Sequence, residues 1–199
     1  RSLVLMGTGE PLDNYDNVLA FLAQATQPAG LDLSYRRVTL STCGLVPGIR
    51  RLASEGLPLT LAVSLHAPTD DLRSKLMPIN KVYPLTELMA ACRHYCEVTH
   101  RRITFEYALL AKVNDGLGRA QQLAELLQGM LCHVNLIPFN SVAERSFRRP
   151  DNSQVEAFRR VLQQDGISVT VRRELGTDIT AACGQLRRRR LQEGAASHD

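Results

Sequence analysis

The sequence predicts an α/β fold of parallel strand–helix units, with a β/α barrel and a doubly wound sheet as the two forms it can take. Three observations predict it. Six short apolar runs of strand length alternate with segments whose apolar residues recur at helical spacing. The runs return at intervals of about 25 to 40 residues, which argues for parallel βα units. No linker or low-complexity stretch divides them, and there is no internal repeat beyond the unit itself.

In chain order, Ser2-Leu-Val-Leu-Met6 is the first strand, with no lead-in, so the chain is expected to start inside its fold. The glycine-rich turn Gly7-Thr-Gly-Glu-Pro11 leads to a helix from Tyr15 to Ala25, whose Val18, Leu19 and Leu22 share one face. Arg37 to Ser41 is a strand, Val46 to Ser54 a helix, and Leu59 to Leu65 a buried strand. Tyr83 to Glu97 carries the next helical pattern, then come a strand from Arg102 to Leu110 and a helix from Arg119 to Met130. His133 to Pro138 is a strand. Val155 to Asp165 is a helix with Gly166 placed to stop it, and Ile167 to Val171 closes the series. From Gly184 onward the pattern dissolves into the basic run Arg187 to Arg190 and a small, polar end, expected to fray.

The 199 residues, 44% hydrophobic and 22% charged, fit one globular domain. A chain of this size buries roughly 70% of the surface its unfolded form exposes, so its core needs neither disulfides nor a structural metal. The longest apolar stretch, Leu57 to Leu65, is far shorter than the roughly 20 residues that span a bilayer, and no basic-then-apolar leader opens the chain. Membrane and secreted classes are therefore disfavoured. The net charge is +4, and Lys75, Lys81 and Lys112 are the only lysines, so the basicity is almost wholly arginine. Guanidinium suits phosphate and base recognition, although an arginine-rich proteome produces the same skew. The cysteines (Cys43, Cys92, Cys96, Cys132 and Cys183) are odd in number and without paired spacing, which suits a reducing cytoplasm.

In either form of the fold, chemistry sits at the carboxyl ends of the strands. Those ends carry Gly7 to Pro11, Ser41-Thr-Cys-Gly44, Ser64-Leu-His66, Glu106 and Asn135 to Asn140, small or polar groups that converge on one rim. Glycine lets a ligand approach the main chain, and Glu10 offers a carboxylate to an ammonium group or a ribose. The competing reading is a tight turn in which Glu10 caps the next helix. The third glycine of a dinucleotide fingerprint is missing. His66 is either a proton carrier or ligand, or a structural residue satisfied at a strand end.

Cys92, Cys96 and His100 succeed one another at helical spacing, but apolar neighbours make core cysteines the better reading. Cys132 reads the same way, so no metal ligands are assigned. Cys43 is either a thiol partner at the rim or a small side chain behind it. Cys183 lies in Asp178-Ile-Thr-Ala-Ala-Cys-Gly-Gln-Leu186, beyond the last strand and among small residues: it is either a structural cysteine or a nucleophile, a strong one if positive charge such as that of Arg172 and Arg173, near in sequence, lowers its pKa.

Eight stretches in order resemble one family, the radical S-adenosylmethionine (SAM) adenine methyltransferases of ribosomal RNA, the RlmN/Cfr group. They are Met6 to Leu12, Arg37 to Gly44, Leu61 to Ala67, Met77-Pro-Ile-Asn-Lys81, Ile103 to Tyr107, Val113-Asn-Asp115, Asn135 to Asn140 and Asp178 to Leu186. The resemblance implies a partial, TIM-like β/α barrel over residues 1–176, with its first strand missing, and a C-terminal loop and basic tail over residues 177–199. It implies that Gly9 and Glu10 meet the amino end of SAM, while Ser41, Ser64, Leu65, His66 and Asn140 contact the rest of it. It makes Cys183 the methyl-carrying cysteine. One SAM methylates that sulfur; a second, cleaved reductively, yields a deoxyadenosyl radical that takes hydrogen from the S-methyl group. The carbon radical then adds to adenine. Carbon 2 of adenine is not nucleophilic, which is the physical reason for such a detour.

The family's 4Fe–4S cluster is held by a CxxxCxxC motif, and no three cysteines here have that spacing. The resemblance therefore implies a C-terminal part of the enzyme, without cluster ligands and inactive alone. It implies 23S rRNA as substrate with transfer RNA as a second one, an electron donor protein as partner, a monomer, and the cytoplasm. Methylation at carbon 8, which confers antibiotic resistance, is the nearest alternative. A non-catalytic RNA-binding module is the rival from another class, supported by Arg145, Arg148, Arg149 and the Arg187 to Arg190 run.

Overall fold

The computed structural model describes residues 2–7, 9–139 and 147–172. Six strands lie in one sheet: β1 (Leu3–Leu5), β2 (Val38–Thr42), β3 (Thr60–Ser64), β4 (Ile103–Leu109), β5 (Cys132–Pro138) and β6 (Ser168–Val171). Their spatial order is their chain order, and every neighbouring pair is parallel. The connections contain α1 (Tyr15–Thr26), α2 (Val46–Ser54), α3 (Asp70–Leu76), α4 (Leu85–Thr99), α5 (Leu117–Leu127) and α6 (Asn152–Gln164).

That order decides between the two forms. A doubly wound sheet reverses its strand order part-way and covers both faces with helices, so both faces are apolar. Here the order never reverses, and the two faces differ in chemistry. Val38, Leu40, Leu61, Val63, Ile103, Phe105, Tyr107, Val134 and Leu136 are fully buried and join Ile49, Leu88, Tyr95, Leu123 and Phe158 of the helices in one core. Each such side chain contributes roughly 1.5–3 kcal/mol on burial.

Successive strand residues point to opposite faces, so the residues between these stand on the other side. The ladder register sets Ser41 beside Ala62, Ala62 beside Thr104, Ser64 beside Glu106, and Glu106 beside Asn135. It also sets His133 beside Ser168 and Asn135 beside Thr170. This face is mostly small and polar, with Val4 and Ile137 as apolar exceptions, and forms the inner wall of a partial β/α barrel, as expected.

The helices pack through the stripes their sequences show. α2 buries Val46, Ile49, Leu52 and Ala53, and α5 buries Ala120, Leu123, Ala124 and Leu127. α6 ends where Gly166, at φ +75°, takes the left-handed conformation expected of a helix stop. α4 starts at Leu85 instead of Tyr83, because the residue before Pro84 is steered out of the helical region. α3 is absent from the sequence-based series. Its seven residues, Asp-Asp-Leu-Arg-Ser-Lys-Leu, carry too short a pattern for apolar periodicity to register, and the residue it buries is Arg73.

Candidate active site at the carboxyl ends of the strands

The first strand's exit is shaped by Gly9, whose φ of +104° is open to glycine and strained for other residues. Among the described residues a Cβ there would meet nothing within 4 Å, so it is the backbone conformation that calls for glycine. Glu10 comes next, in extended conformation. Its Oε1 accepts the Leu12 N–H at 3.0 Å, and its Oε2 accepts the Cys43 N–H at 2.7 Å. Glu10 thus caps a short 3₁₀ turn, Pro11–Asn14, that leads into α1, and not α1 itself, and the same carboxylate ties the exit of β1 to that of β2. A carboxylate has about four acceptor directions, so this leaves capacity for a ligand's donors.

Ser41 is half-buried on the inner face of β2. The next residue, Thr42, accepts the Gly44 and Leu45 N–H groups on its Oγ1 at 3.1 and 3.3 Å, turning the chain into α2. Ser64 ends β3, and Leu65 is fully buried beyond it. His66 takes φ +59°, uncommon for a residue with a side chain. Its carbonyl accepts Asn114 Nδ2 at 2.8 Å, and its Nδ1 accepts the Ala108 N–H at 3.0 Å. An accepting Nδ1 places the neutral ring's hydrogen on Nε2. Burial, helped by the Arg73 charge, pushes the His66 pKa down to about 4, so the imidazole is neutral at physiological pH.

Glu106 is 8% exposed on the inner face, where its Oε2 accepts Asn135 Nδ2 at 2.8 Å. Burial raises its pKa, against the opposing effects of Asn135 and the Arg172 charge. Gly9, Glu10, Ser41, Ser64, Leu65 and His66 therefore share the rim at the ends of β1, β2 and β3. Asn140 and Cys183 lie outside the described residues.

Three buried polar residues that organise this rim are not singled out by the sequence. Arg73 is fully buried and donates to the carbonyls of Cys43, Ser64 and Leu65 and to Asn80 Oδ1. Asn80 passes the chain of bonds to Asp70, whose Oδ1 also accepts the Leu85 N–H. Asn114 binds the His66 and Ala108 carbonyls through Nδ2 and the Leu110 N–H through Oδ1. Two of the three lie within stretches that carry the family resemblance: Asn80 in Met77-Pro-Ile-Asn-Lys81 and Asn114 in Val113-Asn-Asp115. Arg73 is one arginine among many.

The cysteines divide as their neighbours suggest. Cys92, Cys96 and Cys132 are buried, and burial raises all three thiol pKa values. Cys43 sits at the rim with its thiol pushed up to about 12, by burial first and then by hydrogen bonding and charge from Glu10. It is a neutral thiol at pH 7, which favours its reading as a small side chain behind the pocket. Among the described residues, no group of three or more His, Cys, Asp or Glu could hold a metal ion. None of the described helices is long and apolar enough to cross a membrane.

The family model of the radical SAM superfamily matches residues 1–124, and these carry the rim residues from Gly9 to Asn114. The chain belongs to the radical SAM superfamily. Within it, 94% of the chain aligns at 63% identity with a protein of Pelotomaculum thermopropionicum named "Probable dual-specificity RNA methyltransferase RlmN". The crystal structure of a radical SAM methyltransferase from Sphaerobacter thermophilus superposes with a TM-score of 0.89 at 50% identity, over 92% of this chain. A domain of a pyruvate-formate lyase-activating enzyme from Bacteroides vulgatus superposes with a TM-score of 0.66 at 16% identity over 86% of the chain, a likeness of fold alone. The chain spans about half the length of its relatives: 51% of the Pelotomaculum protein and 54% of the Sphaerobacter chain.

Radical SAM membership implies two groups, SAM and a 4Fe–4S cluster. The rim fits the first, because it joins a carboxylate with acceptor capacity to a glycine that no described residue crowds and to hydroxyls on the inner wall. The described residues do not fit the second. Cys92 and Cys96 have the first spacing of a cluster motif, but Thr99 stands where its third cysteine belongs, and both thiols are buried in the core.

Proposed function

We propose that this chain is the SAM-holding, methyl-carrying part of an RNA methyltransferase acting on carbon 2 of adenosine in 23S rRNA, with transfer RNA as a second substrate. The observation that carries the reading is the rim itself: the residues that the family resemblance assigns to SAM on β1, β2 and β3 stand together at one end of the sheet. High identity to proteins named as dual-specificity RNA methyltransferases supports the substrate class.

In this reading SAM supplies a methyl group and, once reduced, a source of radical chemistry. Glu10 receives the ammonium end of its methionine part, next to the Gly9 backbone. Ser41, Ser64, Leu65 and His66 line the remainder, with His66 offering an Nε2–H donor. Asn140 completes the contact set. Cys183 carries the methyl group on its sulfur, and an electron donor protein acts as partner to a monomeric enzyme. The target adenine must leave its stack to reach a site at the strand ends.

The test is mass spectrometry of digested RNA after reaction with the complete enzyme. The expected product is 2-methyladenosine, lost on Cys183→Ala while RNA affinity is kept. 8-Methyladenosine instead would move the reading to the sister activity. Neither product, with RNA bound in a SAM-independent way, would leave only a binding module.

A further inference from the structure

The β2–β3 ladder ends at the pair Thr42 and Val63, so Cys43 and Ser64 are the next residues in register. No ladder bond joins them. Instead, one nitrogen of Arg73, Nη2, donates to both carbonyls, at 2.8 Å to Cys43 and 3.1 Å to Ser64. The same guanidinium donates through Nε to the Leu65 carbonyl at 3.2 Å and through Nη1 to Asn80 Oδ1 at 3.0 Å. It is fully buried, and burial lowers its pKa. Among the described residues its hydrogen-bond acceptors are backbone and amide carbonyl oxygens and the Met77 sulfur, with no carboxylate. Such a charge is costly to bury, so its geometry must be well satisfied.

A second observation concerns the neighbouring chain. Gly44 has φ +106°, and a Cβ there would come within 3.1 Å of Arg73 Nη2 and 3.2 Å of a Leu88 methyl. The turn after β2 is thus shaped to let the guanidinium in. The Cys43 peptide then joins two systems, since its N–H goes to Glu10 and its carbonyl to Arg73.

We infer that Arg73 is the positioning residue of the rim: by holding the Cys43, Ser64 and Leu65 carbonyls on one buried guanidinium, it sets the spacing between the ends of β2 and β3 at which SAM is gripped. Arg73 acts through those peptides and through Glu10, without touching the ligand. The inference rests on the proposed reading of the rim as a SAM site. Lysine cannot replace it, because an ammonium is a point donor and lacks the planar fork that spans two strands.

The test is the SAM dissociation constant of the complete, cluster-loaded enzyme by titration calorimetry, with helix content and melting temperature recorded for every protein. Arg73→Lys is expected to raise that constant about tenfold or more, equivalent to at least 1.4 kcal/mol, with the helix content unchanged. Arg73→Ala is expected to lose affinity and to regain part of it with sub-denaturing guanidinium chloride, but not with methylammonium chloride. Gly44→Ala, which presses a methyl group on Nη2 and strains a turn at φ +106°, should weaken binding several-fold; unchanged affinity in it decides against the inference if both Arg73 variants fail to fold. Wild-type affinity in folded Arg73→Lys, or in Gly44→Ala where that variant decides, would overturn the inference. So would a loss in Arg73→Ala that tracks melting and ignores guanidinium, which marks a purely structural staple. If the wild-type protein itself binds no SAM, the reading of the rim falls first.

Discussion

The two faces of one sheet share every strand and obey opposite chemical rules. On the helix-covered face, β4 presents Ile103, Phe105, Tyr107 and Leu109, each fully buried. On the inner face the same strand presents Thr104, Glu106 and Ala108. Apolar burial stabilises the first face, whereas the second gives up stability to hold polar groups such as Glu106, which is buried and accepts the Asn135 amide. The contrast teaches where to look for function in this fold: along alternate residues of the strands and at their exits, and not in the core.

The sharpest way to break that contrast is a pair of substitutions on opposite faces. Phe105→Ala should cost about 3–5 kcal/mol, read by urea denaturation, because it empties a core site between strands and helices. Ser41→Ala, on the inner face, should stay within ~0.5 kcal/mol of the parent while weakening SAM binding. Equal losses of stability would show that the inner face also acts as core.

The next effect in size belongs to His66, held where a positive φ and two backbone bonds define it. Its folded pKa, about 4, lies below the usual histidine value. The unfolded chain therefore takes the proton first, so stability is complete above about pH 6.5 and falls as the pH drops toward 4, by roughly 3 kcal/mol for this group. Denaturation across that range should be shallower for His66→Asn, since asparagine tolerates the left-handed region without titrating there. An identical pH slope in parent and variant would place the titrating group elsewhere.

The smallest effect should come from the exposed surface. Arg51 pairs with Asp16 at 2.6 Å and lies 4.0 Å above the Tyr15 ring, joining α1 to α2 through an exposed ion pair. Asp16→Asn should leave the melting temperature unchanged within error, because solvent screens such pairs. A clear drop would mean that the outer surface contributes more than the contrast allows.

Much of the barrel was legible because the order of apolar residues carries the strand and helix periods directly. Leu59 to Leu65 and Val46 to Ser54 read correctly without any tertiary information. The rim was legible for a related reason: in parallel βα units the residues after each strand meet at one end whatever the helices are, so Glu10, Ser41 and Ser64 could be grouped in advance. α3 was not legible, since seven mostly charged residues have no apolar rhythm. Arg73 inside it was hidden by its own type, because a guanidinium on a short helix reads as surface until the strand-end carbonyls are seen around it.

The sequence alone determined the parallel α/β class, the run of six strands, the resemblance to a SAM-dependent family and the grouping of residues at the ends of β1, β2 and β3, all of which come from local pattern and motif. Only the tertiary structure decided that the strands never reverse order, that Glu10 bridges two strand exits, and that Arg73, Asn80 and Asn114 hold those exits in place. Such roles depend on which carbonyls and amides a buried side chain meets across 30 or more residues of chain, as between Arg73 and Cys43 or Glu10 and Cys43. No local pattern in the sequence encodes that meeting.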